Sequence, residues 1–272
     1  MKEYIEQLVN KSNSIDTTEA GDYVVDGILY CHKCNTPKQK KLDFWGGQIV
    51  IIMCKCEEAE IEAEKQRERI QRIRDDCLPD KSMHKCNFAN DDGSNPEIIE
   101  IAKKFVDNFE EFKADGKGLL IYGNVGRGKT YASLCIANAL IDKGKYCYVT
   151  SFPAITRALE GTYGKKDEFL DKINSYDLVI IDDLAVERQS EYMQEIVHTV
   201  IDGRYKAKKP TIITTNLTAN EIKNPADVSH QRIYSRLYEM CIPFECKGND
   251  RREGNLKNSY HKYAELLGIK KN

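Results

Sequence analysis

One run of eight residues constrains this chain more than any other segment: Gly123, Asn124, Val125, Gly126, Arg127, Gly128, Lys129 and Thr130, which spell G-x-x-x-x-G-K-T. It directly follows an apolar run at 119–122 and opens an amphipathic segment carrying Leu134, Ala137 and Ile141. That placement predicts a buried strand, a tight loop and a helix, the setting in which a helix N-terminus binds an anion. The glycines let the backbone curl so that several N–H groups face one phosphate group. Lys129 adds a point charge at the β- and γ-phosphates, and the Thr130 hydroxyl is placed to ligate Mg²⁺. Tyr131, the next residue, joins the candidate nucleotide-binding set. A glycine-rich turn without a ligand is the alternative reading, and the flanking strand and helix weigh against it.

The surrounding sequence supplies the rest of such a fold. Short apolar strand candidates at 119–122, 146–150, 178–181, 211–215 and 240–244 alternate with amphipathic segments. The clearest helix carries Met193, Ile196, Val197, Val200 and Ile201 on one face. Another begins at Ser94 or Asn95 as cap, with Pro96 in its first turn and Ile98, Ile101, Ala102, Phe105 and Phe109 as its apolar side. Alternation of this kind predicts an α/β class, with a five-stranded parallel sheet covered on both faces. The length of 272 residues accommodates one large domain plus something small. Lys and Arg number 41 against 43 Asp and Glu, which excludes a surface devoted entirely to nucleic acid but not a local basic patch. The longest apolar runs fall far short of the ~20 residues that span a bilayer. The first residues also lack the basic-then-apolar order of a secretory signal. A soluble, cytoplasmic protein is therefore expected.

A phosphate loop needs an acid at the end of another buried strand, and Asp182 and Asp183 follow the run at 178–181. Asp182 would hold Mg²⁺, and Asp183 could orient or deprotonate an attacking water. Asn216 follows the strand at 211–215, where its amide could position that water. Arg232 and Arg236 are four residues apart on a predicted short helix and share one face. They could act within the chain or reach into a neighbouring copy, and ordinary surface arginines remain the alternative.

Of the ten cysteines, four cluster as Cys31, Cys34, Cys54 and Cys56, a C-x₂-C followed by C-x-C. The spacing suits a tetrahedral Zn²⁺ module, although the second pair is one residue tighter than usual. A structural metal would let so small a segment fold with little core of its own. Within it, Lys38, Lys40 and Lys41 precede Phe44 and Trp45, a combination that could grip single-stranded nucleic acid, dock on a protein, or simply be solvated. Residues 57–76 are dense in Glu and Arg and predict an exposed helical connector.

Taken together these residues resemble the AAA+ ATPases of the DnaC/DnaI helicase-loader type, related also to the IstB transposition helpers. The resemblance covers roughly residues 85–268. It is carried by 123–130 as Walker A, by Ile181, Asp182, Asp183 and the following residues to Arg188 as Walker B, by Ile201 to Tyr205, by 210–216 as sensor I, and by Arg232 to Leu237 as an arginine-finger box. It implies that Arg236 is the better match to the finger, with Arg232 second, and that Arg251 and Arg252 stand at a sensor II position. Many relatives have Glu where this chain has Asp183, which makes Glu187 a second candidate for activating water. The short sequence after Phe244 implies that no full helical lid follows and that neighbouring subunits in a ring or spiral enclose the nucleotide.

The resemblance implies an N-terminal helicase-interaction region at 1–80, holding the zinc module (31–56) and the linker (57–80), and an ATPase domain at 81–272. The expected function is ATP-controlled loading of a DnaB-like replicative helicase onto single-stranded DNA by a homo-oligomer, using ATP, Mg²⁺ and Zn²⁺. The alternative is an IstB-like helper that acts on duplex DNA with a transposase. A small-metabolite kinase would need an acceptor pocket and lid, for which the sequence offers no candidate. Intact Lys129, Thr130 and Asp182 argue against a zinc-binding protein with a degenerate nucleotide site.

Overall fold

A computed structural model describes residues 19–42, 48–160, 166–184, 191–225, 228–248, 250, 260, 263–264 and 266–267. The chain divides into two compact units, residues 1–69 and 70–272. The division falls inside a long helix, α1 (Lys55–Cys77).

In the smaller unit, β1 (Tyr23–Val25) and β2 (Ile28–Tyr30) form an antiparallel hairpin. Its two-residue turn, Asp26-Gly27, has positive φ at both positions (52° and 76°), the geometry that matches the twist of paired strands. β3 (Gln39–Leu42) and β4 (Gln48–Ile51) form a second antiparallel pair. Lys38 departs from the sequence expectation of an exposed basic stretch. Its side chain is buried, and its Nζ donates to Asp22 Oδ2 at 2.8 Å, while Lys40 and Lys41 remain exposed. Asp22 also accepts from the backbone N–H of His32 at 3.1 Å. These partners hold its carboxyl far below the ordinary carboxylate range, the Lys38 ammonium contributing most.

The larger unit is built on a parallel sheet of five strands in the order β6-β7-β8-β5-β9. These are β5 (Gly118–Tyr122), β6 (Cys147–Thr150), β7 (Leu178–Ile181), β8 (Thr211–Thr215) and β9 (Cys241–Glu245). Burial follows that order. All of β7 and β8 are buried, whereas β6 alternates and β9 is mostly exposed, as edge strands are. Pro243, which has no N–H to give a ladder, sits in the edge strand β9. The last strand begins one residue later than the apolar pattern predicts, because Met240 is spent as the final, buried residue of the preceding helix.

The helices of the larger unit are α2 (Pro96–Asp107), α3 (Phe109–Asp115), α4 (Lys129–Asp142), α5 (Phe152–Glu160), α6 (Lys166–Ser175), α7 (Glu191–Lys206), α8 (Ala219–Lys223) and α9 (Val228–Met240), of which α4 and α9 pack directly on the sheet. Ile196, Val197, Val200 and Ile201 are buried on α7, as their spacing predicts. The stripe predicted to run through Phe109 is split, because α2 ends at Asp107 and Phe109 opens α3, its ring edge-on to Phe105. Ile73 and Cys77, at the end of α1, are buried in the larger unit's core.

Arg204 is fully buried on α7. Its guanidinium donates to the carbonyls of Ile173 (3.1 Å), Tyr176 (3.1 Å) and Pro210 and to the Thr211 hydroxyl (3.2 Å), so it ties the end of α6 to the start of β8. No helix among the described residues is long and apolar enough to cross a membrane.

Candidate functional site

All five strands run the same way, so the segments after β5, β7 and β8 emerge at one edge of the sheet, where open α/β folds bind ligands. There, residues 125–131 line a cleft of about 410 Å³ together with Asp92, Asp182, Asp183, Thr214 and Asn216. The loop is turned by positive φ at Gly123 (126°), Gly126 (80°) and Gly128 (90°), conformations that side-chain-bearing residues rarely adopt. Lys129 opens α4 and is 7% exposed. Its ammonium donates to Gly123 O (2.7 Å), Asn124 O (2.8 Å) and Asn216 Oδ1 (2.8 Å), which accounts for all three of its N–H groups. Burial lowers its pKa, so an incoming anion would restore a favoured charge.

The two acids after β7 diverge. Asp182 accepts from the Thr130 hydroxyl through both carboxylate oxygens, at 2.9 and 3.0 Å. Asp183 has φ of 57°, uncommon for a residue other than glycine, and its Oδ1 accepts from Asn216 Nδ2 at 2.9 Å. The chain thus turns sharply between them, giving one carboxylate to Thr130 and the other to Asn216. Asn216 bridges Lys129 and Asp183 with the two ends of its amide.

Thr214 completes this arrangement without having been singled out from the sequence. Its hydroxyl donates to Asp182 Oδ1 at 2.6 Å and accepts from the Asp183 backbone N–H at 2.8 Å. The adjacent Thr215 donates to Leu184 O at 2.8 Å. The available signal was the pair of threonines directly before Asn216. Asn95, expected from the sequence as a candidate helix cap, takes a different role. It stands at the N-cap of α2, but its side chain makes no cap bond. Its amide donates instead to Arg127 O (3.1 Å) and Lys247 O (2.6 Å), joining the phosphate loop to the segment after β9.

In the smaller unit the sulfurs of Cys31, Cys34, Cys54 and Cys56 all lie within 4.8 Å of one another. Cys54 and Cys56 are 3.2 Å apart and Cys31 and Cys56 3.5 Å. A tetrahedral Zn²⁺ with its usual thiolate bonds needs sulfur–sulfur edges of about 3.8 Å, so the donor set fits that ion by number, type and spacing. The Thr36 hydroxyl beside Cys34, 3.0 Å away, lowers that thiol to about 6. Cys56, hydrogen-bonded first to Cys54 and then to Cys31, is pushed well above the usual thiol range.

A family model described as "IstB-like ATP binding protein" matches residues 52–258. The chain belongs to this family. Among curated proteins, this IstB-like chain is 25% identical over 179 residues to the replicative helicase loader DnaI of Bacillus subtilis, a match covering 61% of the chain. It is 26% identical over 144 residues to the replicative helicase loader DnaC of Escherichia coli K12, covering 50%. The chain spans 58% of the length of each of these relatives. A crystal structure of the DnaC helicase loader aligns with a TM-score of 0.52 and 28% identity, over 62% of this chain and 100% of that one. The shared fold is therefore the AAA+-like α/β unit.

Two arginines of this IstB-like chain lie elsewhere. Arg232 and Arg236, both on α9, do not line the phosphate cleft. They line a second cleft of about 500 Å³ with Tyr205, Gln231, Ser235 and Glu239. Within one chain they are thus not brought to the loop. Glu187, Arg251, Arg252, Phe44 and Trp45 lie outside the described residues.

Proposed function

We propose that this chain is an ATP-dependent loader of a replicative helicase onto single-stranded DNA. The observation that carries the reading is the convergence of Lys129, Thr130, Asp182, Asp183 and Asn216 in one cleft of a chain similar to named helicase loaders. ATP is held by the N–H groups of 123–130 and by Lys129, which exchanges one of its three oxygen partners for a phosphate oxygen. Thr130 and Asp182, already in contact, are the residues that would hold Mg²⁺. When bound, that ion would supply charge neutralisation to the phosphates. Asp183, fixed by the Asn216 amide, accepts the proton of the attacking water or orients it, with Glu187 as the second candidate. Arg236, and secondarily Arg232, serves the cleft of a neighbouring copy in a ring or spiral, and Arg251 and Arg252 take the sensor II position.

Residues 1–80 form the helicase-interaction region and 81–272 the ATPase region of a cytoplasmic protein. Cys31, Cys34, Cys54 and Cys56 hold Zn²⁺ and stabilise the small unit. Hydrolysis releases the helicase onto DNA.

Affinity capture with the full chain tests this. A hexameric replicative helicase is expected to co-purify in an ATP-sensitive way. Absence of binding in either nucleotide state would overturn the reading. Remodelling of duplex DNA without helicase affinity would replace it with the transposition helper. ATP hydrolysis that requires a small metabolite and ignores DNA would indicate a kinase.

A further inference from the structure

Arg236 is gripped on two sides by one helix. Its Nε pairs with Asp202 Oδ1 at 2.8 Å, and its Nη1 lies 3.2 Å from His198 Nε2. His198 and Asp202 are four residues apart on α7, so they present to the same face of that helix. Arg236 Nη2 has no hydrogen-bond partner among the described residues, and its side chain is 29% exposed. A guanidinium is a planar fork of five donors. The Nε contact is an ion pair without hydrogen-bond alignment, and with the Nη1 approach to His198 it holds the guanidinium against α7 while the Nη2 donors remain available.

From this geometry we infer that Asp202 and His198 are positioning residues that set Arg236 for the γ-phosphate held by a neighbouring copy of this chain. The inference rests on the reading of Arg236 as acting across a subunit boundary. Two observations separate it from a purely structural ion pair. Both partners are partly exposed, 29% and 16%, and pairs of that kind contribute little to stability. Asp202 also carries Lys206 at 2.7 Å, so its charge has a partner that does not depend on Arg236. The entropy of ordering the long arginine side chain is then lost before assembly, and the phosphate meets a preset donor.

The test is steady-state ATP hydrolysis by the full chain, at concentrations where it assembles. Asp202→Asn is expected to lower kcat about 10- to 100-fold, the size of effect that misplacing a catalytic group produces. Its KM for ATP and thermal midpoint should stay near wild type. His198→Ala is expected to fall in the same direction by less, and it carries the test if Asp202→Asn does not fold. Lys206→Met is expected to keep wild-type hydrolysis, showing that the loss does not pass through Lys206.

The decisive arm mixes Asp202→Asn chains with Lys129→Ala chains, which lack a nucleotide site but keep an intact Arg236. Hydrolysis above the sum of the two alone supports positioning across the boundary. No recovery places the effect of Asp202 inside its own subunit and overturns the inference. Full activity of Asp202→Asn, with Arg236→Ala inactive, also overturns it while leaving Arg236 as a finger. Full activity of Arg236→Ala removes the underlying reading itself.

Discussion

Thr214 governs how the acid-bearing strand meets the phosphate loop. One hydroxyl donates to the Asp182 carboxylate and accepts from the Asp183 N–H. Thr214→Val keeps the shape and removes both bonds. Losing these bonds at a part-buried position costs about 1 kcal/mol. Because Asp182 and Asp183 both lose a restraint, hydrolysis should fall by about tenfold or more while ATP affinity changes little. Hydrolysis and nucleotide binding measured side by side check this, and unchanged turnover would show that Thr214 is dispensable. Lys129→Ala removes the buried cation and is expected to abolish ATP binding, read by equilibrium binding. Arg236→Ala should retain binding and lose hydrolysis, since Arg236 lies away from its own chain's cleft.

At the scale of elements, Gly118 sets the closeness of two central strands. A Cβ placed there would lie 1.8 Å from Thr211 O, a backbone atom of β8. Neither β5 nor β8 is an edge strand, so neither can move aside. Gly118→Ala is expected to cost about 3 kcal/mol or more, read from the denaturant midpoint. A midpoint equal to wild type would contradict this account of the sheet.

Asp177, just before β7, gives a pH-dependent counterpart. Burial raises its pKa, but the Lys113 ammonium (2.6 Å) and the Tyr146 N–H (2.9 Å) more than offset this, leaving it below its ordinary value. The folded state therefore binds fewer protons than the unfolded chain. The resulting stability is fully present above about pH 4 and is lost as pH falls through the lower folded pKa. Lys113→Met should cost about 1 kcal/mol at neutral pH, with the gap closing in acid.

Much at this scale was legible in the sequence. Continuous apolar runs bounded by turns located the strands, and the loop motif fixed which strand feeds which helix. Other features depend on partners far away in the chain. The break between α2 and α3, Asn95 turning from its cap to Arg127 and Lys247, and Lys38 leaving the basic stretch for Asp22 are of this kind. Residue type gave no hint of them, because the same residues suit the local role equally well.

For the whole molecule, the near-even charge suits a protein that meets nucleic acid through a limited surface. The four-cysteine cluster lies in the unit spanning 1–69 and the phosphate cleft in the unit spanning 70–272. If Zn²⁺ holds the small unit together, a zinc-selective chelator used in excess Mg²⁺ should unfold it and abolish helicase capture while leaving ATP binding intact. Two separate thermal transitions, only one of them chelator-sensitive, are the expected signature. Loss of ATP binding on chelation would contradict it.

Loading is measured most plainly as transfer of a hexameric replicative helicase onto circular single-stranded DNA. Helicase is expected to become stably bound to the circle only with this chain and ATP, and the Lys129→Ala chain is expected to fail to support transfer. Equal transfer without the chain, or with Lys129→Ala, would contradict it.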